Sequence, residues 1–155
     1  MGKELTITVQ GKDTRVTVRS LIEMLERALG VLRELDARMS ENQRAGMQWE
    51  VVRVSMNSPL TMTLGAKIPT NRRDNSADVV RTFLRGLATF EKSATVPKYF
   101  NDDALNETRK LVNLLNNGVA RLEFSSTGEE KVTPTLHSAA NIDEIVNKQH
   151  AFYYE

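Results

Sequence analysis

The stretch Trp49–Leu64, WEVVRVSMNSPLTMTL, decides the fold. Val52, Val54 and Met56 alternate with Val51, Arg53 and Ser55, and Leu60, Met62 and Leu64 alternate with Thr61 and Thr63. Side chains along a strand point to opposite faces in turn. Asn57, Ser58 and Pro59 then make a loop between two strands. Pro59 cannot donate to a ladder, it pushes Ser58 out of the helical region, and Asn57 tolerates a left-handed backbone. This loop sets Met56 opposite Leu60, Val54 opposite Met62 and Val52 opposite Leu64. All six apolar side chains share one face, and Arg53, Ser55, Thr61 and Thr63 share the other. A slip of one residue would destroy the match, so the register is expected to be firm. The hairpin is taken as the centre of the fold.

Toward the N-terminus, Leu5, Ile7 and Val9 alternate with Thr6, Thr8 and Gln10, and Val16 and Val18 alternate with Arg15 and Thr17. Gly11-Lys12 suits a two-residue type II′ turn, which predicts a second hairpin over residues 4–18. Ser20-Leu21-Ile22-Glu23 reads as a capping box that starts the first helix. Leu21, Leu25, Ala28, Leu32, Leu35 and Met39 recur at helical spacing, with Ile22 and Leu29 widening the stripe. The helix is expected to end near Met39, before a polar loop over residues 40–48.

Toward the C-terminus, residues 67–76 read as an exposed loop, and Asn75 or Ser76 caps a second helix with Val80, Phe83, Leu84, Leu87 and Phe90 inward. Pro97 breaks the helical period. Asn101 caps a third helix with Asp102 and Asp103 in its first turn, where the helix dipole favours anions. Leu105, Thr108, Leu111, Val112 and Leu115 make its inner side, and Gly118 is a left-handed terminator. Residues 119–126 read as a strand with Ala120, Leu122 and Phe124 inward, and residues 131–133 as a further short strand. A last helix over residues 138–148 buries Ile142, Ile145 and Val146. The expected class is α+β, in the order ββα-ββ-αα-β-α. A mainly antiparallel sheet of about five strands has helices packed on one face. Residues 1–150 form a single domain.

The 155 residues fit one domain. A net charge of +1 argues against a strongly basic nucleic-acid module. Cysteine is absent, so no disulfide, thiolate nucleophile or zinc–thiolate site can form, and a cytoplasmic setting is the expectation. No apolar run approaches the roughly 18 residues of a membrane span.

Catalytic motifs are not found: there is no phosphate-binding glycine loop, no Gly-x-Ser-x-Gly elbow and no His-Glu-x-x-His helix. His137 reads as a helix-entry histidine rather than a general base, and no spacing makes it a metal ligand with His150. The pairs Asp102-Asp103 and Glu129-Glu130 are consecutive, and neighbours of that kind do not face each other. The expectation is therefore no catalytic residue, no metal and no cofactor. Lys67, Arg72, Arg73, Arg81 and Arg85 fall in one loop and on one helix stripe, as candidate contacts for an anion or nucleic acid. Trp49, read on the polar face of its strand, is a candidate protein contact. Phe152, Tyr153 and Tyr154 form a β-favouring run at the end of the chain, expected to be a C-terminal strand or a lead into a following segment.

The segments WEVVRVSMNSPLTMTL, VVRTFLRGL, PKYFNDDAL and NNGVARLEFSS resemble a group of uncharacterised bacterial proteins. Members of that group carry an α+β N-terminal part followed by a small β-rich domain. The resemblance implies that the chain is the first part of a longer protein, and it implies no activity. The leading expectation is a non-catalytic bacterial protein-interaction or assembly module with a protein partner or self-association and no membrane contact. The alternative is a nucleic-acid-binding accessory protein using the basic loop-helix surface. An enzyme with an unrecognised site comes third.

Overall fold

A computed structural model describes residues 3–13, 15–40, 46–57 and 59–154, with side chains described as far as residue 149. The elements run β1 (Glu4–Gly11), α1 (Val18–Met39), β2 (Gln48–Ser55), β3 (Leu60–Lys67), α2 (Ser76–Lys92), α3 (Asp102–Val112), a 3-10 turn (Asn113–Asn116), β4 (Val119–Ser125) and α4 (Leu136–Tyr154). The class is α+β. Among the described residues the sheet has four strands, all antiparallel, in the order β2-β3-β1-β4. The fifth strand reduces to a single bridge between Phe124 and Val132.

Alternation in β1 places Leu5, Ile7 and Val9 in the core, together with Met62 and Leu64 of β3 and Leu122 and Phe124 of β4. The inner sides of the helices close over this face. Phe83 of α2 meets Phe124 edge-on, with ring centroids 5.3 Å apart. Phe90 meets Phe100 in the same way at 5.4 Å. Phe100 fits there because residue 86 is glycine: a Cβ at Gly86 would lie 2.4 Å from the Phe100 ring. The opposite face of the sheet is polar. Thr6 and Thr63 hydroxyls lie 3.0 Å apart, and Arg53 reaches across β3 to Glu4 at 2.9 Å.

The reading of α2 holds at every inward position, and α3 is capped by Asn101, whose side chain accepts from the Ala104 N–H at 2.8 Å. Gly118 has φ +101°, the left-handed value expected of a terminator. Five expectations are corrected. The second N-terminal hairpin does not form: Thr17 instead caps α1, accepting from the Ser20 N–H at 3.1 Å, so the helix starts before the supposed capping box. Thr14, within that supposed strand, lies outside the described residues. The alternation over residues 15–18 is only two apolar residues long, and it gives way to a side-chain cap. In α1 Ala28, Leu32 and Leu35 are buried as read and Leu21, Leu25, Leu29 and Met39 pack partly buried against the core, but Met24 and Val31 are also fully buried and Ile22 is exposed rather than part of the stripe. In β4 it is Val119, not Ala120, that turns inward, because the pairing with β1 shifts between Gln10 and Gly11. Helix α4 begins at Leu136 and continues to Tyr154, so the C-terminal run is helical rather than a strand.

The fifth correction concerns the central hairpin. Ser55 pairs with Thr61, Val54 with Met62 and Arg53 with Thr63, as read. A bulge then shifts the register between Val51 and Arg53, and Val51 rather than Val52 pairs with Leu64. Of the two hairpin strands β3 is interior and β2 is an outer strand.

Candidate interaction surface

The bulge decides which way β2 presents its side chains. Residues directly opposite in an antiparallel pair share a face. Trp49 pairs with Ala66, Val51 with Leu64 and Val54 with Met62, so all three lie on the helix-covered face. Glu50 pairs with Gly65 and Arg53 with Thr63, on the polar face. Trp49 is therefore not on the polar face, as its position in an unbroken alternation implies; it packs half-buried against the core. Beyond it the cover runs out. Val51, Val54 and Met56 are 58%, 45% and 76% exposed. The predicted core positions Val54 and Met56 are thus surface residues, because none of the described helices covers this part of the face; the other outer strand, β4, keeps Leu122 and Phe124 fully buried. Sequence periodicity gives the face of a residue but not how far that face is covered.

The resulting surface is an eight-residue outer strand carrying a row of exposed aliphatic side chains. Natural proteins blunt such edges with charges, lysine above all, with proline, with bulges or with short strands. Residues 48–55, QWEVVRVS, contain neither lysine nor proline, and the bulge and the charges Glu50 and Arg53 leave Val51 and Val54 exposed.

Two of the five basic residues already have carboxylate partners. Arg72 is committed to the interior: it forms an ion pair with Asp36 of α1, and its Nη2 also donates to Asn75 Oδ1 at 3.2 Å. The Asp36 carboxylate also accepts the N–H groups of Gly46 and Met47 at 2.9 and 3.1 Å. Burial by itself would raise the Asp36 pKa. The hydrogen bonds from Arg72, Gly46 and Met47, with the Arg72 charge, outweigh it and hold the carboxyl below its ordinary range. Arg81 pairs with Asp78 at 3.2 Å and with Glu129 at 3.0 Å. Lys67, Arg73 and Arg85 are exposed.

A second polar network, partly buried, was not legible in the sequence. Glu91, one residue before the end of α2, sits at the start of α4. It accepts from the Thr135 N–H at 3.0 Å, from the Ser138 hydroxyl at 2.6 Å and from the Thr135 hydroxyl. Burial works against the Glu91 charge, but the Ser138 and Thr135 hydrogen bonds and the nearby His137 bring its pKa below the ordinary value. His137 itself is an exposed helix-entry residue whose backbone N–H donates to the Thr135 hydroxyl. Asp102 and Asp103 are exposed in the first turn of α3, and Glu129 is the partner of Arg81. Among the described residues no group of three or more His, Asp or Glu side chains is arranged to hold a metal ion. None of the described helices is long and apolar enough to cross a membrane. The side chains of Phe152, Tyr153 and Tyr154 lie outside the described residues.

Comparison of the chain with protein-family models, with curated proteins and with solved structures returns no match.

Proposed function

We propose that the chain is a non-catalytic protein-interaction module whose contact surface is the outer strand β2. The supporting observation is the row Val51, Val54 and Met56, exposed along an open strand beside half-buried Trp49. Exposed aliphatic side chains next to unpaired backbone groups favour the addition of another strand. Backbone hydrogen bonds would supply affinity, and the exposed valines would supply selectivity. Nucleic-acid binding through Lys67, Arg72, Arg73, Arg81 and Arg85 has weaker support, since Arg72 and Arg81 already hold carboxylates.

A photo-crosslinking amino acid at position 54 tests the reading in the native cell, with position 85 on α2 as the control. Protein adducts from position 54 and none from position 85 are the expected result. Adducts from position 85 alone, or none from either, would remove β2 as the contact surface.

A further inference from the structure

We infer that the partner of the β2 edge is a second copy of the same chain, joined by symmetric antiparallel pairing of β2 with β2. This inference rests on β2 being the contact surface and adds the identity of what it contacts.

The argument starts from the length of the strand. β2 has eight residues, Gln48–Ser55. Full overlap with a symmetry mate sets Gln48 opposite Ser55, Trp49 opposite Val54, Glu50 opposite Arg53 and Val51 opposite Val52. A two-fold axis normal to the sheet keeps each face of one copy continuous with the same face of the other. In a regular strand this register would fail, since residues 50 and 53 would point to opposite faces. The bulge between Val51 and Arg53 removes the conflict. It puts Glu50 and Arg53 on the polar face and Trp49 and Val54 on the helix-covered face.

The chemistry then matches pair by pair. On the polar face each Glu50 meets the Arg53 of the other copy, twice across the axis. Opposite charges directly across an antiparallel pair stabilise it, and like charges destabilise it. Glu50 is exposed, and the existing Arg53–Glu4 pair is a surface pair that can share its arginine. On the other face Trp49, Val51, Val52 and Val54 from the two copies would form one apolar strip, covering the exposed Val51 and Val54 beside the half-buried Trp49 and Val52. The product is a continuous sheet of eight strands with all helices on one side.

Charge exchange tests this directly. Sedimentation of the intact chain should give a dimer mass at micromolar concentration. Glu50→Arg and Arg53→Glu should each weaken the dimer by about tenfold or more, because each sets like charges opposite one another. The double variant Glu50→Arg/Arg53→Glu should recover it. Circular dichroism should show all three folded, since both residues are exposed, and Val54→Lys serves as an independent variant that should also dissociate the dimer. A monomer at every concentration would overturn the inference, as would a dimer indifferent to both single exchanges and to Val54→Lys. A monomer that still gives adducts from position 54 would overturn self-pairing and leave the interaction surface standing. A monomer without adducts would remove both.

Discussion

Asp36 at the end of α1, 1% exposed, is ion-paired with Arg72 of the segment leading into α2. The pair ties together parts of the chain that are distant in sequence, and the N–H groups of Gly46 and Met47 complete the shell of the carboxylate. Taking one member of a buried, hydrogen-bonded pair away leaves the other desolvated and unmatched. Arg72→Ala should therefore cost about 3–5 kcal/mol in urea denaturation. Arg81→Ala, which removes partly exposed pairs, should cost less than about 1 kcal/mol. Equal losses would show that Arg72 has no special place in the interior.

Acid should act through Asp36 and Glu91. Folding lowers both below their ordinary values of 3.8 and 4.5. A carboxyl lowered by folding contributes stability that is fully present above its ordinary value and is lost as pH falls through the lowered one. The melting temperature should be level near neutrality on account of these groups and fall below about pH 4.5. Glu91→Gln should be less stable at pH 7 and show a shallower acid decline. A decline as steep as that of the parent would assign the acid sensitivity to other groups.

Glu91 holds the start of α4 from outside the helix, so its loss should be local before it is global. Glu91→Ala should speed amide hydrogen exchange across the first turn of α4 and cost about 1.5–3 kcal/mol, the range for hydrogen bonds to a charged group. Unchanged exchange in residues 136–140 would show that α4 needs no such anchor.

Gly86 lets the Phe100 ring lie directly on α2. A methyl group there would stand 2.4 Å from ring carbons. Gly86→Ala should cost about 1–3 kcal/mol by overpacking, despite the higher helix propensity of alanine. A stabilised variant would mean that the ring shifts aside without cost.

The two strands of the hairpin should respond oppositely to charge. In the monomer, Val54→Asp should change stability by less than about 1 kcal/mol, since the site is half in water. Leu64→Asp, in the core, should unfold the chain. Thr63→Asp should also be costly: Thr63 is 5% exposed although it lies on the polar face, packed beside Thr6. A severe loss from Val54→Asp in the monomer would place β2 inside the sheet.

Local chemistry was the legible part of this fold. The inward positions of α2, the Asn101 cap, the Gly118 terminator and the pairing of Val54 with Met62 all follow from spacing and turn residues close in sequence. What was not legible depends on distant partners. The bulge in β2 has no glycine to mark it, and its consequence, turning Trp49 inward, appears only against Leu64 and Ala66. The exposure of Val54 follows from where the helices stop covering the sheet. The assignment of Arg72 to Asp36 joins residues 36 apart, and that of Glu91 to Thr135 joins residues 44 apart. Of the five basic residues close in sequence, two, Arg72 and Arg81, serve carboxylates, and neither Asp36 nor Glu129 is close enough in sequence to be read as a partner.

Amide hydrogen exchange of residues 48–55 as a function of protein concentration tests the β2 edge most directly. Self-pairing predicts that these amides become more protected as concentration rises, while those of α2, residues 76–92, keep their rates. Exchange in residues 48–55 that is identical at the lowest and highest concentrations would contradict it.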